Sequence, residues 1–265
     1  MTRPFVTVYN EMSVDGRITD FAGDGVRYYA HGFSWPRDAI LMGSTTAQAF
    51  GPRETDEEAR GPGPDVSPDP VPPGFEEAVA GPRPLLVVVD GSGRVRSWRH
   101  AQAAPWYSGY VSLASERTPT GHLDHLDRRG VEVIRCGRDR VDLGEALRRL
   151  HDEHGVRRVR TDGGGRLTGA LLAAGLVDEL VVMVAPSLCE SPTGRTLVEL
   201  TRRLPAEAAL LDLDDVTTLD GGVVVLRYRL CGSDQEATRT VSPASRAATS
   251  PVAPRAAAAR PTTNT

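Results

Sequence analysis

The sequence contains no lysine: all 31 basic residues are arginine. That absence excludes two classes of chemistry. A Walker phosphate loop needs a lysine on the terminal phosphates, and Schiff-base catalysis needs an amine that can shed its proton. Cysteine is scarce too. Cys136, Cys189 and Cys231 are odd in number and form no CxxC pair, so neither a disulfide framework nor a zinc knuckle is indicated. No run approaches the ~20 apolar residues of a membrane span. The opening Met1-Thr2-Arg3-Pro4 leads into a strand pattern rather than a signal peptide. A soluble, cytoplasmic protein is the expectation. A GxSxG elbow, an HExxH helix and a complete GxGxxG behind a strand are all missing, which removes support from hydrolase and Rossmann readings. A net charge of −4 argues against nucleic acid as the main partner, while clustered arginines suit one small phosphorylated ligand.

The hydrophobic content of 40% supports an ordinary core. Two segments show no apolar period. Residues 51–84 are crowded with prolines and acids and read as a long surface loop inside the domain. Residues 233–265 are rich in Ala, Pro, Thr, Ser and Arg and read as a disordered tail, leaving one folded domain over 1–232. Strand-like runs fall at 5–9, 39–42, 85–89, 110–114, 131–134, 156–160 and 180–185. Most are apolar without alternation, the pattern of strands buried on both faces in a mainly parallel sheet with helices on either side. A helix is predicted over 142–154, with Asp142 as cap, Glu145 completing a capping box, and Leu143, Ala146, Leu147 and Leu150 on one face. It should join two neighbouring parallel strands. Residues 210–219 and 223–230 flank Asp220-Gly221-Gly222, which predicts a terminal antiparallel hairpin.

Three stretches suit ligand chemistry. Asp162-Gly163-Gly164-Gly165 leaves an apolar strand and enters a helix, so bare backbone can approach a phosphate there. Met12-Ser13-Val14-Asp15-Gly16-Arg17 sets an acid, a glycine and a cation at a strand end. Met42-Gly43-Ser44-Thr45-Thr46 is a second strand, glycine and helix start with hydroxyls. The pairs His122/His125 and His151/His154 have ligand spacing but sit among charges at helix ends, and no metal is expected.

Together, Ser13-Val14-Asp15-Gly16-Arg17-Ile18, Asp38 to Thr46, and Asp162 to Leu167 running on through Gly175 to Leu180 resemble the reductase domain of riboflavin biosynthesis, within the dihydrofolate-reductase-like superfamily. Val87-Val88-Val89-Asp90-Gly91-Ser92-Gly93-Arg94-Val95 resembles a further strand and loop of that family. The resemblance runs from about Phe5 to Leu230. It implies a three-layer α/β fold, NADPH without a Rossmann fingerprint, and hydride transfer to the ribose carbon of a phosphoribosylamino-pyrimidine. By resemblance the dinucleotide contacts fall on Gly43, Thr46, Gly163, Gly164 and Gly165, with Ser92, Arg94 and Ser115 added. Substrate contacts fall on Asp15, Arg17 and Asp162, and the family implies a homodimer; since an arginine holds its proton, the catalytic acid is expected at Asp15, Asp162 or a bound water. The family usually has lysine at Arg17 and glutamate at Asp162. These departures, with the altered loop after Phe50, keep open a pterin or specialised metabolite as substrate, or a nucleotide-binding module without turnover.

Overall fold

The computed structural model describes residues 2–55, 58, 67–204, 206 and 209–230. The expected tail over 233–265, Cys231 and much of the proline-rich segment lie outside the described residues. Nine strands make one sheet: β1 (Phe5–Ser13), β2 (Ala39–Gly43), β3 (Leu85–Val89), β4 (Gly109–Ala114), β5 (Glu132–Arg135), β6 (Arg158–Thr161), β7 (Glu179–Ala185), β8 (Leu211–Leu219) and β9 (Val223–Leu230). Their order is β5-β4-β3-β2-β6-β1-β7-β9-β8. Strands β1 to β7 pair in parallel, and β9 runs antiparallel to both β7 and β8. The mainly parallel sheet with a terminal hairpin is therefore as the sequence indicates.

Among the described residues the α-helices include α1 (Gly25–Phe33), α2 (Ser44–Ala47), α3 (Glu76–Ala80), α4 (Trp98–Ala103), α5 (Thr120–Arg128), α6 (Leu143–His154) and α7 (Gly165–Ala173). Among the described residues none is long and apolar enough to cross a membrane. Residues of one strand divide between two cores with period two. Val6, Val8, Leu41 and Val87 pack with Leu147 and Leu150 of α6 and Leu171 of α7. Ile40, Met42, Leu86 and Val88 pack on the other face with Trp98 of α4 and Leu126 of α5, and Tyr9, Val181 and Met183 lie there beneath Tyr28 of α1. Both faces are covered, which is why these runs do not alternate. Each fully buried leucine contributes about 2 kcal/mol.

Three expectations need correction. Helix α6 does not join neighbours: it leads from β5 at the sheet edge to β6, with β4, β3 and β2 between them. Its capping box is only half made. Asp142 Oδ1 accepts from the Glu145 amide at 2.9 Å, but the Asp142 amide donates to Cys136 O at 3.2 Å. The proline-rich segment is not wholly structureless, since it carries α3 and buries Phe75 in an aromatic cluster with Phe33 and Trp106.

The strand order locates a ligand crevice. From β2 the chain steps outward through β3, β4 and β5, then returns as β6 and continues to β7 beyond β1. The chain therefore changes direction beside β6, and in a sheet of this order a ligand crevice is expected at the carboxyl ends of β2, β6 and β1. Leu41 is in register with Thr161, and Thr161 with Val8, so Gly43, Gly163 and Asn10 end up side by side.

Candidate functional site

The turn after β6 assigns different work to its three glycines. A Cβ on Gly163 would meet Leu167 Cδ2 at 2.8 Å, and one on Gly165 would run into the Thr196 carbonyl. Both glycines are buried, and both are required by close packing. Gly164 caps α7 without any side-chain hydrogen bond, and a Cβ there would meet nothing within 4 Å. Its backbone faces open space at the start of a nine-residue helix, where amide donors lack intrahelical partners. Gly43, which caps α2 on the adjacent strand, also faces open space. Thr46 is half-buried on α2.

The loop after β3 comes to the same side. Arg94 Nη2 donates to Ser44 Oγ at 2.9 Å, joining the β3 loop to the β2 loop, while Ser92 and Arg94 remain exposed. Ser115 is fully buried behind this loop, its hydroxyl 3.4 Å from Gly91 O. It supports the loop rather than facing the groove.

Asp15 and Arg17 lie in the turn that extends β1. The Arg17 amide donates to Ser13 Oγ at 3.0 Å and its Nη1 to Gly194 O at 2.7 Å. Asp15 is exposed and accepts from the Cys189 amide at 3.0 Å. Hydrogen bonding from the Ser13 hydroxyl and that amide holds its carboxyl below the usual carboxylate range. At neutral pH it is an anion and an acceptor.

Asp162 is not a solitary acid. Both its oxygens are taken by Arg160, at 2.9 Å from Nε and 2.9 Å from Nη2. Arg160 is buried, 3% exposed, and its Nη1 donates to Gly32 O at 2.5 Å. Its guanidinium also lies 5.2 Å from the Tyr9 ring centroid. Sequence reasoning missed Arg160. The available signal is its position two residues before Asp162, which puts both side chains on one face of the strand. The charge of the same carboxylate acts on Tyr28, Tyr29 and Tyr107. Burial first and the Asp162 charge second push their hydroxyls above the ordinary tyrosine value, so they remain protonated donors.

His122 and His125 are buried on α5. Among the described residues, Glu132, Glu153 and His154 lie close enough together to hold an ion, but at the far edge of the sheet, and Glu153 is already paired with Arg149.

Removing one partner of a buried ion pair leaves the other charge without compensation. Arg160→Leu should therefore destabilise the fold by about 3 kcal/mol in urea denaturation. Asp162→Asn should cost less in that background than in the wild type. Equal costs in both backgrounds would contradict the pairing.

Comparison with known proteins fits this geometry. The family model of the RibD C-terminal domain matches residues 4–225. The 2,5-diamino-6-ribosylamino-4(3H)-pyrimidinone 5′-phosphate reductase of Methanothermobacter thermautotrophicus is 30% identical over 203 residues, covering 74% of this chain and 84% of that protein. The protein of the same name from Archaeoglobus fulgidus is 30% identical over 201 residues, with 72% and 85% covered. Among solved structures, a pyrimidine reductase-like protein from Corynebacterium diphtheriae shares the fold with a TM-score of 0.61 at 17% identity, covering 86% of this chain and 92% of that one. On the family match, which takes in all three site loops, the chain belongs to the RibD C-terminal domain family.

Proposed function

We propose that this protein is an NADPH-dependent reductase that converts a phosphoribosylamino-pyrimidine to its ribitylamino form, as the names of its relatives suggest. The observation that carries the reading is the open backbone of Gly164 at the start of α7, set beside the Arg94–Ser44 contact and the fixed Asp162 carboxylate. These residues fit a dinucleotide. Gly164 and Gly43 leave room and amide donors for the pyrophosphate, and Arg94 with Ser44 and Ser92 offers a cation and hydroxyls to a 2′-phosphate. When bound, NADPH would supply the hydride that reduces the anomeric carbon of the sugar as its ring C–O bond opens.

The chain's own residues then bind and orient. Arg17 and the backbone beside it would meet the substrate's anionic end. The Asp162 carboxylate, gripped by a guanidinium that offers only donors, is arranged to accept hydrogen bonds from the substrate. Asp15 is likewise an acceptor. The proton that reaches the opening ring oxygen therefore comes from solvent. NADPH oxidation should be seen with 2,5-diamino-6-ribosylamino-4(3H)-pyrimidinone 5′-phosphate and not with dihydrofolate. Asp162→Asn should lower kcat by ~10²-fold while NADPH affinity changes less than about twofold. Oxidation with dihydrofolate alone would move the substrate to a pterin, and none with either would favour a binding module.

A homodimer is the second part of the proposal. Strand β8 ends the sheet, and its Leu211, Leu213 and Val216 are exposed. An apolar edge of this kind calls for a cover. Light scattering should give twice the chain mass, and Leu213→Lys with Val216→Lys should return it to the single chain. A monomeric wild type would contradict this.

A further inference from the structure

The loop after β3 faces solvent through Ser92 and Arg94, but its shape is set from inside the protein. Asp90 is 1% exposed. Its Oδ1 accepts from the Arg94 amide at 2.9 Å and its Oδ2 from the Val95 amide at 2.8 Å. Gly93 closes the turn, donating to Asp90 O at 3.0 Å with φ of +66°, a conformation that favours glycine. Directly beneath lies His122 of α5. A Cβ on Gly93 would come within 2.9 Å of its Cβ and Cγ. Its Nε2 is 3.2 Å from Asp90 Oδ2, an ion-pair distance at an angle off the line of a good hydrogen bond. Among the described residues neither ring nitrogen has a well-aligned partner elsewhere, so Asp90 is the group this imidazole addresses. Burial pushes the Asp90 carboxyl up, but His122 and the two amides outweigh it, and the net result lies below the usual range. Thr118 Oγ1 adds a bond to Gly91 O at 2.8 Å from the same side.

We propose that Asp90 and His122 are positioning residues that hold Arg94 ready for the 2′-phosphate of the dinucleotide, and so set the preference for a phosphorylated over an unphosphorylated cofactor. The proposal rests on the NADPH reading above. An arginine head on a free stem loses conformational entropy when it grips a phosphate. Arg94 is held at two points instead: Asp90 fixes its backbone amide, and Ser44 Oγ accepts from Nη2. The residue is otherwise exposed. A ribose without a 2′-phosphate makes no use of this arrangement, so loosening it weakens one cofactor and spares the other. A residue that only stabilised the fold would weaken both alike.

The test titrates the full chain with NADP⁺ and with NAD⁺ by fluorescence, for the wild type, Arg94→Leu, His122→Leu, His122→Asn and Asp90→Asn, with melting temperature followed alongside. The wild type should bind NADP⁺ more tightly, and Arg94→Leu should abolish the preference. His122→Leu and Asp90→Asn should each weaken NADP⁺ by about tenfold and leave NAD⁺ within about twofold. His122→Asn, which keeps a donor toward Asp90, should retain most of the NADP⁺ affinity. Equal weakening of both cofactors, or of neither, in His122→Leu and Asp90→Asn overturns the proposal while Arg94 and the cofactor reading stand. A wild type without preference overturns the cofactor reading and the proposal together.

Discussion

The buried guanidinium of Arg160 is the constraint on which the site depends. A cation 3% exposed inside a sheet face has to be compensated, and three elements supply the compensation. Asp162 gives two oxygens, Gly32 of α1 gives its carbonyl, and Tyr9 of β1 gives a ring face. The arrangement reaches back to sequence, because a Cβ on Gly32 would lie 2.7 Å from Arg160 Nη1. It reaches forward to the groove as well. The carboxylate that answers the cation stands immediately before Gly163 and Gly164, where the strand gives way to α7. A leucine at position 160 would suit a core better on desolvation grounds alone. What the arginine adds is a carboxylate fixed in direction.

The groove has a polarity that follows from topology. Strands β2, β6 and β1 end side by side, and each hands over to a loop of different chemistry. The β2 and β3 loops bring hydroxyls and the Arg94 guanidinium, and the β6 turn brings bare backbone. The extension of β1 brings Asp15 and Arg17. Donors that suit a dinucleotide therefore run from the β3 loop to the backbone at Gly164, while the carboxylates of Asp162 and Asp15, with Arg17, lie at the β6 and β1 end. A dinucleotide along the first and a sugar-bearing ring near the second is the order this polarity favours.

Local features were legible in the sequence and long-range pairings were not. The unalternating apolar runs revealed parallel strands because both faces of β2, β3 and β7 are covered. Asp220-Gly221-Gly222 revealed the hairpin because both glycines adopt positive φ, 76° and 80°. Strand order was hidden, since nothing local to 142–154 says that α6 crosses three strands. The half-made cap at Asp142 was hidden for the same reason: its amide finds a partner at Cys136, outside the helix. The three glycines after Asp162 look alike in sequence, and only packing against Leu167 and the Thr196 carbonyl separates Gly163 and Gly165 from Gly164. Ser115 and Ser92 are both serines after strands, yet one is buried and one exposed. Arg160 escaped notice because an arginine in a strand reads as surface until its partners across the face are known.

A crystal structure of the chain with NADP⁺ tests the central claim most directly, namely that the groove beside β6 is a preformed dinucleotide site anchored by the Arg160–Asp162 pair. The account predicts the pyrophosphate against the backbone of Gly164 and Gly43, the 2′-phosphate on Arg94 and Ser44, and both oxygens of Asp162 still on Arg160. A dinucleotide bound away from Gly164, or an Asp162 carboxylate that has left Arg160, would contradict it.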